Sequence, residues 1–301
     1  METTLLASGG ADPPDASTWE RSAVIYVALM LLVLISLHVR WECRKQMKWE
    51  QISWEHVAEG RDRSRVRALS VFRLCCCLVV LANDGILIFF TREMPLLGGW
   101  KIFGTFTVWS WTLIGIYMGL AGVASLSHAC KIKPNKVVVA VLCRFLWLLF
   151  EVMLPVSFLI FVVVWLVLLP AAYQTSGTDL GLLSLPALAA HNLNVVFMLI
   201  EARLNRLCMT SFHLIFIFYY GALYVIFSWI LFGINHNFFY FFIDWRYPVV
   251  LIGYTGILSM LAGFFFICRW MVNRAKPEGL QSDSNLHSPR SVPLAARFQR
   301  A

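Results

Sequence analysis

The chain has 301 residues, of which 59% are hydrophobic and only 14% charged, and its formal net charge is +8. Soluble domains carry about 25% charged residues, so an ordinary soluble fold is excluded. Seven long apolar runs use up most of the length and leave no room for a separate soluble catalytic domain. The positive excess lies on loops, where membrane insertion and anionic lipid account for it, so no nucleic-acid partner is expected.

Residues 1–20 are acidic, with Glu2, Asp12, Asp15 and Glu20. They read as a disordered outward tail, and with no basic region before an apolar core they are not a cleavable signal peptide. The first run, Ser22–Val39, stops at Arg40-Trp41-Glu42-Cys43-Arg44-Lys45 and reads as a retained signal anchor. Arg40–Arg67 follows with eight Lys or Arg. Trp41, Trp49 and Trp54 inside it predict a basic loop, 41–67, that lies along the membrane surface or runs as a solvated helical linker.

Ala68–Phe90 and Phe103–Ser127 are the second and third runs. The fourth, Val137–Leu169, has 33 residues, carries Arg144 and Glu151 seven apart on one face, and holds Pro155. As a helix it would be about 50 Å long, with a kink expected at Pro155. It is read as a cytoplasmic extension that enters the membrane near Trp147 and leaves near Leu169, because two crossings would break the charge alternation downstream. Ser184–Ala202, Thr210–Phe232 and Pro248–Met271 complete the set. Each run meets the roughly 18–20 apolar residues that a membrane-spanning helix needs. From Ala275 a Ser-, Pro- and Arg-rich tail, 275–301, is expected to be disordered and cytoplasmic.

The expected fold is therefore all-α: a polytopic helical bundle with seven transmembrane helices over residues 21–274. Lys131–Lys136 carries three basic residues, Arg203–Arg206 two and the tail from Arg269 six, whereas the opposite side holds only Arg21, Arg92, Lys101 and Arg246. The positive-inside rule then puts the amino terminus outside and the carboxyl terminus in the cytoplasm of a membrane that the sequence does not identify. All eight cysteines fall on the cytoplasmic side, so no structural disulfide is expected.

Polar groups inside a bilayer need a reason. In the second run Asn83 and Asp84 lie about 9 Å below the outer end; in the third, Thr105 and Thr107 lie about 3–6 Å deep; in the fifth, His191 lies at about 10 Å, with Asn194 one turn on. These residues make a candidate pocket in the outer half. A Thr hydroxyl beside a neutral His can become a nucleophile because the imidazole takes its proton, and Asp84 would orient the ring. The competing reading is hydrogen-bonded glue between helices. Glu201 beside Arg203 reads as a boundary charge, His213 as a packed neutral histidine, and Asp244-Trp245 as an interfacial anchor. Zinc ligation by His191, His213 and Asp84 fails on depth, and no metal or cofactor is expected.

Trp100–Trp245 resembles the rolling-stone group of multipass proteins and, more distantly, the androgen-induced intramembrane threonine hydrolases. The resemblance is carried by Gly98-Gly99-Trp100-Lys101, Phe106-Thr107-Val108-Trp109-Ser110-Trp111-Thr112-Leu113, His191-Asn192-Leu193-Asn194 and Phe197-Met198-Leu199-Ile200-Glu201. His213, Gly221, Tyr224, Phe227-Ser228 and Ile243-Asp244-Trp245 follow in order. The hydrolase branch implies cleavage of lipid esters by a Thr and a His, which carry over to Thr107, or Thr105, and His191. The chain departs from that branch in its extra first span with a long basic loop and in lacking a second His just before His191. Both departures favour the rolling-stone side, which implies cell-fusion, adhesion or developmental roles.

The expected function is thus an integral membrane protein with a Thr/His lipid-ester hydrolase pocket, its partners being membrane lipids and a lipid-ester substrate. The alternative is a non-catalytic membrane protein. A G-protein-coupled receptor is disfavoured because no Asp-Arg-Tyr follows the third run and no Asn-Pro-x-x-Tyr closes the seventh. A transporter would want broken helices or paired mid-membrane charges.

Overall fold

The structure is a computed structural model, and it describes residues 16–93, 98–132 and 135–275. The tails expected at 1–20 and 275–301 lie outside the described residues, apart from 16–20, which form the first turn of a helix, and Ala275. The helices are α1 (Ala16–Cys43), α2 (Trp54–Ala58), α3 (Val66–Thr91), α4 (Phe106–Ala129), α5 (Lys136–Val163), α6 (Leu169–Ser176), α7 (Leu185–Leu188), α8 (Asn194–Leu204), α9 (Leu214–Asn235) and α10 (Val250–Arg274). One isolated antiparallel bridge, Gly60 with Asn205, is the only strand-like pairing among the described residues. Seven helical segments are long and apolar enough to cross a membrane, and the protein is an integral, multi-pass membrane protein.

The fourth segment runs unbroken from Lys136 to Ser176, past the expected end at Leu169. A π-turn, Val164–Leu168, joins α5 to α6, just before Pro170, which has no N–H to give to the preceding turn. α5 is the central helix: Leu146, Phe150, Met153, Leu154 and Val156 are wholly enclosed by α4, α8, α9 and α10. α1 is peripheral and shows Ile25, Leu29, Leu32 and Ile35 outward, the surface a hydrocarbon phase would cover.

α3 and α4 form the closest helix pair. A Cβ added at Gly115 would lie 2.6 Å from Val80 Cγ1, and one at Gly122 2.9 Å from Leu74 Cδ2. Small residues let backbones approach where no hydrophobic effect separates helix from lipid, so van der Waals contact and hydrogen bonds hold the pair. The Ser70 hydroxyl donates to the Gly122 carbonyl at 2.9 Å, which is such a bond.

The 41–67 loop is not a plain solvated linker. It folds under the bundle at its basic end. Met47, Val57 and Ala58 are buried, α2 packs on α4 and α5, and the Val57 and Ala58 carbonyls accept from Arg73 (2.9 Å) and Ser125 (2.8 Å). Glu59 clasps Arg206 (2.6 Å), Arg63 (3.0 Å) and His128 (3.2 Å). Burial of Met47, Val57 and Ala58, with half-buried tryptophans packed beside them, outweighs the loop's charge.

Candidate intramembrane site

α3, α4 and the segment α7–α8 all touch one another. Residues 80, 84 and 87 of α3 and 108, 111, 112 and 115 of α4 recur at helical spacing, so each set lines one face. On the fifth span α7 passes into a π-turn, Ala189–Leu193, before α8 begins. His191 lies in that turn. Such wide turns rotate side chains out of the regular pattern and concentrate at functional sites. A second bond fixes it: Trp165, in the π-turn after α5, donates its indole N–H to Asn192 Oδ1 at 2.9 Å.

Trp111 joins the three elements. It is fully enclosed, shares a buried cluster with Val80, Leu87, Val108 and Ala190, and stacks on Phe197 with ring centroids 5.8 Å apart. Asn194 sits between Ala190 and Phe197 on that same helical stretch. One residue beyond Trp111, the Thr112 hydroxyl donates to Asp84 Oδ2 at 3.0 Å. Asn83 donates to the Pro186 carbonyl at 3.1 Å. Asn83 is thus bonded to α7 and Asp84 to α4, and His191 and Asn194 are buried on the α7–α8 segment that packs against both helices. Sequence reasoning missed Trp111 and Thr112. The signal was present as a Trp-Thr pair in an otherwise apolar run, one face-repeat from Val108.

Unpartnered polar atoms concentrate on these three packed elements. Among the described residues, six buried side-chain nitrogen or oxygen atoms have no hydrogen-bond partner, and four are here: Asp84 Oδ1, Trp111 Nε1, His191 Nδ1 and Asn194 Nδ2. The remaining Asn194 oxygen accepts from the neighbouring Val195 N–H at 2.6 Å. Each orphaned group costs about 1–3 kcal/mol of desolvation, so four in one place is expensive for a fold to carry.

The two candidate threonines stand elsewhere. Thr105 is the N-cap of α4: its hydroxyl donates to the Ile102 carbonyl at 2.9 Å and accepts from the Val108 N–H at 3.4 Å. Thr107 is buried at the wall of a second cavity, of about 70 Å³, enclosed by α4, α5, α9, α10 and residues 240–243. The phenol of Tyr240, on the same cavity wall, accepts from the Phe106 N–H at 3.1 Å. Burial holds that phenol above its ordinary range, so it stays a neutral donor. No hydrogen bond joins either threonine to His191.

Two other expectations need correction. Glu201 is no boundary charge: it is fully buried and paired with Arg73 through 3.0 Å and 2.5 Å contacts, and it accepts from Tyr117 at 2.8 Å and Asn205 at 3.2 Å. His213 is buried as expected but not merely packed. Its Nδ1 meets Glu151, its Nε2 contacts the Met47 carbonyl at 2.9 Å, and Trp49 stacks on its ring at 4.8 Å. Glu151 and Arg144 share a helix, yet only Glu151 turns inward. Among the described residues, no three His, Cys, Asp or Glu side chains converge as metal ligands would.

Comparison with protein-family models, with curated proteins and with solved structures gives no match.

Proposed function

We propose that this membrane protein binds an amphipathic lipid from within the bilayer, with the lipid's oxygen-bearing group in the chamber between α3, α4 and α7–α8. The observation that carries this reading is the set of four buried, unpartnered polar atoms on three mutually packed elements. Asn194 Nδ2 and Trp111 Nε1 are donors that suit an ester carbonyl. Asp84 Oδ1 is an acceptor that suits a hydroxyl, and His191 Nδ1 serves either role according to tautomer. The neighbouring apolar cavity, on the other flank of α4, suits a short length of acyl chain.

The test is lipid capture. Protein in nanodiscs of cell-derived lipid is purified, and bound lipid is read by native mass spectrometry for wild type, Asn194→Leu and Trp111→Phe. Retention of a discrete hydroxy- or ester-lipid by wild type, with loss in both variants, supports the reading. Equal lipid content in all three refutes it.

A second reading, ester hydrolysis, is favoured by the unpartnered His191 Nδ1 in an otherwise apolar wall and by Thr107 at the cavity. The resemblance to the threonine hydrolases points the same way. In that reaction His191 takes the Thr107 proton as Oγ attacks the ester carbonyl carbon. The alcohol leaves with that proton, and water then cleaves the acyl-threonine. The Thr107 hydroxyl must first turn toward His191. Turnover of a lipid ester that falls to background in both Thr107→Ala and His191→Ala supports hydrolysis. Equal turnover in wild type and both variants removes it and leaves a non-catalytic, rolling-stone-like lipid binder.

A further inference from the structure

At the basic end of the bundle the chain leaves α1 through two residues with left-handed backbones, Lys45 (φ +52°) and Lys48 (φ +57°). Lysine is a poor choice there, since a Cβ crowds the following carbonyl and glycine or asparagine would serve the turn better. Both lysines border a cavity of about 520 Å³ that Arg144 of α5 closes from the other side. Met47, wholly buried between the two lysines, anchors the turn. Trp49 forms the floor, with the Arg144 guanidinium 6.0 Å above its ring. Of the two acids at the rim, Glu42 is already engaged by the Trp49 indole N–H at 3.0 Å. The rim therefore carries three cations against two carboxylates, Glu42 and Glu50, and of these only Glu42 already accepts a hydrogen bond.

We propose that this cavity binds the phosphate-bearing headgroup of an anionic lipid. Backbone strain kept at two adjacent charged positions points to a ligand that uses those charges. The location selects a lipid over free phosphate. Phe145, next to Arg144, and Val141, one turn before Phe145, are exposed apolar residues on α5, and the exposed Val39 precedes the turn on α1. The cations therefore ring the edge of an apolar helix surface, where a headgroup sits above its chains.

The experiment measures binding of a water-soluble dioctanoyl phosphatidylinositol bisphosphate to the full chain in phosphatidylcholine nanodiscs. Inorganic phosphate, the inositol phosphate headgroup alone and dioctanoyl phosphatidylcholine are the comparison ligands. Each surface cation contributes about a fivefold factor. Lys45→Gln with Lys48→Gln and Arg144→Gln should therefore weaken binding roughly a hundredfold. Lys45→Gly with Lys48→Gly should weaken it roughly thirtyfold without lowering thermal stability, because glycine adopts this backbone freely. Lys45→Arg with Lys48→Arg should retain it. Unchanged affinity in the glycine variant overturns the proposal, as does equal binding of phosphatidylcholine. Equal affinity for inorganic phosphate or the bare headgroup overturns the assignment to a lipid.

Discussion

Replacing Asn194 with leucine separates a ligand chamber from hydrogen-bonded glue. The side chain is fully buried, and leucine has nearly its shape, so the exchange leaves little cavity. Its Nδ2 has no partner, and its oxygen reaches only the adjacent Val195 N–H. Removing a buried group that bonds nothing returns its desolvation penalty, about 1–3 kcal/mol. The ligand-free protein should therefore become more stable, with a rise in Tm of about 2–12 °C for a chain of this class. The measurement is reversible unfolding of delipidated protein in mixed micelles, with bound lipid read in parallel. Stability should rise while lipid retention falls, the trade-off expected where function keeps a site strained. A loss of more than about 1 kcal/mol, the size of an interhelical hydrogen bond in membranes, would mean that the amide holds helices together. The chamber reading would then fail.

Other outcomes follow from the packing. Glu201→Gln leaves Arg73 as an uncompensated buried charge and should destabilise by about 3–5 kcal/mol, whereas Arg73→Met with Glu201→Leu should recover at least half of that in the same unfolding assay. Gly115→Leu drives a side chain into Val80 and should cost at least about 1–3 kcal/mol. Gly85→Ala, with nothing within 4 Å of the added carbon, should be neutral or gain up to about 1 kcal/mol. In a cysteine-free background, an impermeant maleimide should label Asn237→Cys on intact cells and Ser53→Cys only after permeabilisation. The reverse pattern would overturn the orientation read from the basic loops.

The spans were legible because hydrocarbon imposes one rule on every residue: about 20 consecutive apolar side chains in helical form. Local composition suffices for that, and the seven helices follow it. The polar chamber was half legible. Asn83, Asp84, His191 and Asn194 declared themselves by depth, since each is costly in lipid wherever it points. Which threonine would join them was not legible, because it depends on rotation: Thr112 bonds Asp84, while Thr107 lines the apolar cavity beside α5, α9 and α10. Neither a π-turn at His191 nor its bond through Trp165 has a signature in hydropathy. Arg73 with Glu201 and Glu151 with His213 were hidden for a plainer reason. Their partners are 128 and 62 residues apart, and pairing of that kind is a property of tertiary packing alone.

The two ends of the bundle treat buried polarity in opposite ways, and the contrast bears on function. At the basic end Arg73 donates to two carboxylate oxygens of Glu201, to the Val57 and Ala121 carbonyls and to the Ser125 hydroxyl. Glu201 in turn accepts from Tyr117 and Asn205. The loop that supplies the Val57 carbonyl folds under the bundle to do so, and Met47 meets His213 in the same way. Around Arg73 and Glu201 the bonds are completed, as low dielectric demands, although the Arg269 Nε nearer that end has no partner. Within the same helices, one or more turns away, the chain leaves Asp84, Trp111, His191 and Asn194 incomplete. A fold able to satisfy a buried guanidinium five times over is not short of partners. The unpartnered groups near His191 are the ground on which the lipid-binding proposal rests.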